Sequence, residues 1–279
     1  MSNSPARAFN PREWLREKGL SPKKSFGQNF LTDAHVLGEI ARASVPDAEV
    51  GKASVLEIGA GLGALTEVLL PRSGELAIVE RDRDFMPLLA ERFPSVKAFE
   101  ADAKTFDYAD FFSSRPSPRV LVGNLPYQIT GPLLTAFCGI RASIDRIIIM
   151  VQKEVADRLL AEVGSKEYGA LTVFVSAQFR TSRVLTAGPH AFFPPPNVSS
   201  TVIELLPIAN AAPETDAFRK LVQGGFQMRR KTLRNAWASL GPTFLEEISK
   251  TVDLQRRGET LSPNEYHAAA RVLEAVAAK

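Results

Sequence analysis

The 279-residue chain has one cysteine, Cys138, and only three histidines. A lone thiol excludes an intramolecular disulfide and a cysteine-rich zinc cluster, and three scattered histidines argue against a dedicated metal site. Cys138 reads as a small buried hydrophobe. Long apolar runs are also missing: the longest strongly apolar stretch is Ile147–Val151, far short of the roughly 18 residues a membrane span needs. The N-terminus lacks the apolar core of a signal peptide. The expectation is a cytoplasmic protein that uses no membrane and no metal. Internal repeats and low-complexity segments are absent as well.

What is present is ordinary globular material, 45% hydrophobic and 23% charged. That supports one large domain and a small one. The net charge of +3 leans toward an anionic partner without identifying it.

Short apolar runs alternate with amphipathic stretches over residues 54–206, the rhythm of a mainly parallel α/β sheet. Candidate strands are Ser54–Ile58, Leu76–Glu80, Val96–Ala98, Val120–Gly123, Arg146–Val151, Leu171–Phe179 and Thr201–Leu206. The last two flank a loop with Phe192-Phe193-Pro194-Pro195-Pro196, whose prolines cannot continue a ladder, so they read as a hairpin-like pair with a stiff connection. After Pro207 the composition turns Ala/Pro/Asn-rich and linker-like, and the remainder of the chain looks helical. The expected division is therefore 1–207 and 208–279. Between Asp216 and Leu240 six basic residues, Arg219, Lys220, Arg229, Arg230, Lys231 and Arg234, face one acid. Such a face suits a phosphate backbone, and equally an ordinary solvated helix.

The segment Val55-Leu56-Glu57-Ile58-Gly59-Ala60-Gly61-Leu62-Gly63 runs an apolar strand into alternating glycines and then a helix. Glycines there allow a sharp turn and a close ligand approach. Glu80 ends the second strand about 20 residues on, where a carboxylate can accept both ribose hydroxyls of a nucleoside. Asp102 follows the third strand and can accept from an adenine amine, or can serve as a helix N-cap. The glycine loop by itself also fits the nicotinamide fingerprint.

The chemistry is separated by Asn124-Leu125-Pro126-Tyr127 at the end of the fourth strand. An adenine amine is a poor nucleophile because its lone pair is delocalised into the ring. It needs acceptors for its N–H groups while the lone pair turns toward a methyl donor. The Asn124 side-chain oxygen and the Leu125 carbonyl, held by Pro126, supply such acceptors, and Tyr127 can stack on the base. Catalysis is then mainly orientation, and no histidine base is needed.

These segments resemble the small-subunit ribosomal RNA adenine N6,N6-dimethyltransferase family, relatives of the erythromycin-resistance methylases. Lys23-Lys24-Ser25-Phe26-Gly27-Gln28-Asn29-Phe30-Leu31, Glu57–Gly63, Asn124–Tyr127, Met150–Leu159, Ser165–Gly169, Phe192–Ser200 and Phe226–Leu233 occur in the family's order and span nearly the whole chain. The resemblance implies a Rossmann-like class I methyltransferase sheet with a small C-terminal helical domain. It implies S-adenosylmethionine as cofactor and 16S ribosomal RNA of the small subunit as substrate, dimethylated at two neighbouring adenosines near its 3′ end. A monomer needing no protein partner is expected.

Residue by residue, the resemblance implies that Asn29 and Leu31 help hold the methionine end or the adenine side of the cofactor. Gly59, Gly61, Glu80, Asp102 and Asn124 complete that site. Phe192 would stack on the target base opposite Tyr127, its alternative being core packing. Arg229, Arg230 and Lys231 would dock on RNA. Two departures stand out: Gln128-Ile129-Thr130 follows Tyr127 where Asn-Ile-Ser is frequent, and Asn197 and Ser199 replace a basic and an acidic residue. Three rivals fit parts of the pattern: a nicotinamide oxidoreductase, which has no use for Asn124–Tyr127; a non-catalytic ribosome assembly factor; and a large-subunit methylase.

Overall fold

The structure is a computed structural model and describes residues 10–23, 27–228 and 230–278. Its strands are β1 (Phe30–Leu31), β2 (Ser54–Ile58), β3 (Glu75–Glu80), β4 (Lys97–Glu100), β5 (Arg119–Asn124), β6 (Arg146–Gln152), β7 (Phe179–Ala187), β8 (Phe192–Phe193) and β9 (Ser200–Pro207). The helices up to the second half of the chain are α1 (Pro11–Glu17), α2 (Ala34–Ser44), α3 (Ala64–Leu69), α4 (Met86–Arg92), α5 (Tyr108–Ser113), α6 (Thr130–Gly139), α7 (Lys153–Leu159) and α8 (Ala170–Ser176). After β9 the described chain is helical, with α9 (Asp216–Gln227), α10 (Leu233–Ala236), α11 (Pro242–Ile248) and α12 (Pro263–Ala277).

Seven strands form one sheet in the order β4-β3-β2-β5-β6-β9-β7. The pairs β2–β3, β3–β4, β2–β5 and β5–β6 are parallel. Strands buried on both faces read as near-continuous apolar runs, and β2, β5 and β6 are almost wholly buried. The order reverses between β2 and β5, which opens a crevice at their carboxyl ends. Close approach of the two strands there requires Gly123: a Cβ at that position would lie 2.6 Å from the Ile58 carbonyl oxygen. A separate antiparallel pair joins Phe30 to Phe193 and Leu31 to Phe192.

Helix starts follow local chemistry. The Asp33 carboxylate accepts the Val36 N–H at 3.0 Å, Thr215 Oγ1 accepts the Phe218 N–H, and Ser262 and Glu265 satisfy each other's backbone N–H groups ahead of Pro263. Each removes an orphan donor at a helix N-terminus.

The described chain condenses into two compact units. The first takes residues up to Leu133, with Ala142–Lys153 and Arg183–Glu204; the second takes Leu134–Arg141, Glu154–Ser182 and the residues from Leu205 onward. The second unit is thus not the contiguous block from 208 suggested by the linker composition. Tyr168 and Val173 pack in one apolar cluster with Phe218, Trp237, Phe244 and Tyr266, and Tyr168 Oη donates to the Leu261 carbonyl at 2.9 Å.

The stretch Leu171–Phe179 is corrected from strand to helix. Its first part is α8, and the strand begins only at Phe179. A short apolar run does not distinguish a buried strand from a buried helix. Helical spacing wins because it places Val173 and Ala177 together on the apolar cluster, while Thr172 Oγ1 takes the Gly169 N–H and donates to the Arg158 carbonyl. The strand β7 lies at the sheet edge, with Arg180 and Arg183 exposed, a common guard against edge-to-edge pairing.

Candidate active site

The crevice between β2 and β5 belongs to the first unit. It is a cleft of about 1250 Å³, its open mouth included, lined by the ends of β2, β3 and β5 and by residues 27–31. A crevice at this reversal point of a parallel sheet is where such folds bind their ligands.

From β2 the chain turns through Gly59 and Gly61, both with positive φ, and enters α3. At Gly61, φ +55° and a Cβ position 3.3 Å from the Phe30 ring exclude a larger side chain without movement. The Gly61 N–H donates to Glu80 Oε2 at 2.7 Å, and the Asp82 N–H donates to Glu80 Oε1 at 2.7 Å. Glu80 is 7% exposed. Burial raises its pKa, and the N–H groups of Asp82, Gly61 and Arg81 offset only part of that rise. Each oxygen retains lone-pair capacity beyond the bond it already accepts.

Asp102 lines the same cleft. Its Oδ1 accepts the Lys104 N–H at 3.0 Å, and its Oδ2 lies 3.5 Å from Arg81 and 3.7 Å from Lys104. The carboxylate therefore organises its own turn and faces the ligand space at once. Glu57, which opens the Glu57–Gly63 segment but has no role assigned to it by the resemblance, also lines the cleft. Only 2% exposed, it accepts the Thr66 hydroxyl at 2.6 Å, and burial pushes its pKa up to about 8. The sequence signal was there, a lone acid inside an otherwise apolar strand.

At the end of β5, Asn124, Leu125, Pro126 and Tyr127 all line the cleft. The Leu125 N–H donates to the Met150 carbonyl at 3.1 Å, which ties the loop to β6. Asn124 Nδ2 donates to the Asn29 carbonyl at 3.2 Å. Asparagine offers one amide nitrogen and one oxygen, so this bond leaves its Oδ1 as the acceptor end. Tyr127 Oη and Ser200 Oγ are 3.0 Å apart, a support for the ring that residue-type reasoning missed. Asn29 and Leu31 border the cleft as expected, with Asn29 Nδ2 donating to the Gly27 carbonyl. Phe192 does not join Tyr127 there. It is 4% exposed, opposite Leu31 in the ladder, and packs in the apolar core with Phe30.

The ribosomal RNA adenine dimethylase family model matches residues 19–275. The chain belongs to that family.

Ribosomal RNA small subunit methyltransferase A of Anaeromyxobacter sp. strain K is 43% identical, over 95% of this chain and 98% of that relative. Its counterpart in Geobacter metallireducens is 38% identical, over 95% of this chain and 100% of the relative. A dimethyladenosine transferase from Plasmodium falciparum superposes with TM-score 0.75 at 25% identity, covering 86% of this chain and 95% of that one. The 23S rRNA methyltransferase ErmE shares the fold at TM-score 0.63 and 23% identity, covering 88% of this chain and 100% of that one. As a ribosomal RNA adenine dimethylase the chain is an enzyme on a Rossmann-like methyltransferase sheet, and a nicotinamide oxidoreductase is set aside.

The basic cluster lies in the second unit. Arg230 and Lys231 are exposed, just beyond α9, and the Lys231 N–H donates to the Met228 carbonyl at 2.8 Å. Arg229 falls outside the described residues. Among the described residues no group of His, Cys, Asp and Glu side chains is placed to hold a metal, and no helix is long and apolar enough to cross a membrane.

Proposed function

We propose that this chain transfers methyl groups from S-adenosylmethionine to N6 of two adjacent adenosines near the 3′ end of small-subunit ribosomal RNA, in the cytoplasm and as a monomer. The observation that carries this reading is the meeting of Asn124, the glycine loop and Glu80 in one cleft of one chain. When bound, S-adenosylmethionine supplies a methyl group on a sulfonium sulfur.

Glu80 is suited to the ribose hydroxyls, Asp102 to the adenine amine, and residues 27–31 with Gly59 and Gly61 to the remaining backbone contacts. The polar set fits a nucleoside joined to an amino acid: carboxylates at one end, backbone groups of residues 27–31 and of the glycine loop with Asn29 at the other. Asn124 Oδ1 and the Leu125 carbonyl accept the N–H groups of the target amine and turn its lone pair away from the ring. Tyr127, braced by Ser200, supports the base face. Phe192 contributes by packing β8 against β1 in this conformation. Arg229, Arg230 and Lys231 dock phosphates and take no part in the chemistry.

The test uses small subunits from a strain that lacks this modification, incubated with the full chain and methyl-labelled cofactor. Digestion of the RNA should release labelled N6,N6-dimethyladenosine from the 3′ region. No transfer to the small-subunit RNA, or label in a nucleoside other than an N6-methylated adenosine, would refute the assignment.

A further inference from the structure

The hydrogen bonds around the cleft pass through a side chain to which the proposed chemistry gives no role. Asp82, two residues beyond Glu80, is 1% exposed. Its Oδ1 accepts Lys23 Nζ at 2.6 Å, and its Oδ2 accepts Gln28 Nε2 at 2.7 Å. Lys23 Nζ also reaches Asp84 at 2.7 Å, and the Lys23 backbone N–H donates to Gln28 Oε1 at 2.7 Å. Both ends of the Gln28 amide are therefore engaged. A buried carboxylate, one ammonium and one amide form a closed clasp.

The clasp reaches both halves of the cleft. On one side the Asp82 N–H holds Glu80 Oε1. On the other, Asn29 follows Gln28 and its carbonyl accepts Asn124 Nδ2. Gly27, Gln28 and Asn29 all line the cleft. We propose that Asp82, clasped by Lys23 and Gln28, is a positioning residue that seats residues 27–29 across the cofactor site and links the geometry of Glu80 to that of Asn124. The proposal rests on the methyl-transfer reading above.

The physical reason is the burial of one partner: Asp82 is desolvated while the Lys23 side chain keeps 37% of its surface exposed, and the Asp84 N–H, 3.2 Å from Asp82 Oδ1, is a weaker partner than the ammonium. Removing the cation leaves a desolvated carboxylate short of its partner, which favours rearrangement of everything it holds. Here what it holds is the wall of the cofactor site. A purely structural staple would instead weaken the fold equally with and without ligand.

The experiment compares the full chain with its Lys23→Met and Lys23→Arg variants, using S-adenosylhomocysteine as the binding probe. Calorimetry gives affinity, stopped-flow gives release, thermal melts are run with and without the probe, and single turnover on small subunits is measured at saturating S-adenosylmethionine. Lys23→Met should weaken binding about tenfold, the scale of a lost charge-assisted bond, mainly through faster release. The probe should raise its melting temperature less than it raises that of the wild type, and Lys23→Arg should recover most of the affinity. Wild-type affinity and release in Lys23→Met overturn the proposal, as does a lower melting temperature without ligand at unchanged affinity. Should Lys23→Met fail to fold, Gln28→Leu answers the same question, with faster release supporting the clasp and unchanged release overturning it. Failure of the wild-type chain to bind the probe overturns the functional reading and the clasp with it. Binding by the wild type with unchanged variants overturns the clasp alone.

Discussion

The cleft of the first unit and the basic segment of the second handle polarity in opposite ways. Around the cleft, Glu57 and Glu80 are buried and hydrogen-bonded to specific partners. Around α9 and α10, Arg219, Lys220, Arg230, Lys231 and Arg234 stand exposed. A buried group interacts strongly at short range and is costly to leave unpaired, whereas an exposed charge is screened and acts mainly through its sign. The first region should therefore depend on which atom sits where, and the second on how many charges it keeps.

The sharpest test of that contrast is Asn124→Ala. Loss of an acceptor placed for the reacting amine should lower the methyl-transfer rate constant by about 100- to 1000-fold, on the scale of other preorganised polar groups. Cofactor affinity, measured by calorimetry, should stay within a few-fold. A variant that turns over normally would remove this loop from the chemistry.

Glu57 tests burial itself. Its folded-state pKa of about 8 lies above the usual value near 4.5. The neutral carboxyl therefore contributes stability that is fully present below pH 4.5 and lost as pH rises toward 8. In that window one proton is bound in the folded state and released on unfolding, a slope approaching about 1.4 kcal/mol per pH unit. Urea denaturation between pH 5 and 8 should show this decline for the wild type relative to Glu57→Gln. Parallel profiles for the two proteins would mean that Glu57 is charged in the fold.

The smallest effect is expected in the second region. Replacing Arg229, Arg230 and Lys231 together by Ala should leave the melting temperature unchanged. It should weaken binding to small subunits and reduce the salt dependence of that binding by about 0.7–0.9 for each phosphate no longer neutralised. A stable triple variant with wild-type affinity and salt slope would mean that RNA docks elsewhere.

Much of the first unit was legible because its signals are local. The parallel strands announced themselves as apolar runs: Ser54–Ile58 is β2 residue for residue, and the neighbouring strands shift by a residue or two at their ends. The helical character after Pro207 followed from the loss of any strand pattern. Leu171–Ser176 is not legible as a helix because a short apolar run has no decisive period, and the partners that choose the helix, Phe218 and Trp237, lie far along the chain. The resemblance implies a cleft position for Phe192, whereas its burial depends on pairing with Leu31, about 160 residues away in sequence.

The sequence by itself determined the elements that need only neighbours: the glycine turn after β2, the polar loop after β5, the caps of α2 and α12, and the family through motifs in fixed order. Tertiary structure alone decided which side chains share the cleft. It brought Glu57 into the lining, drew Phe192 out of it, set Ser200 behind Tyr127, and closed Lys23 and Gln28 onto Asp82. Local propensities act over a few residues. Burial and hydrogen-bond pairing between distant segments are settled only when the strand order fixes which chain ends meet.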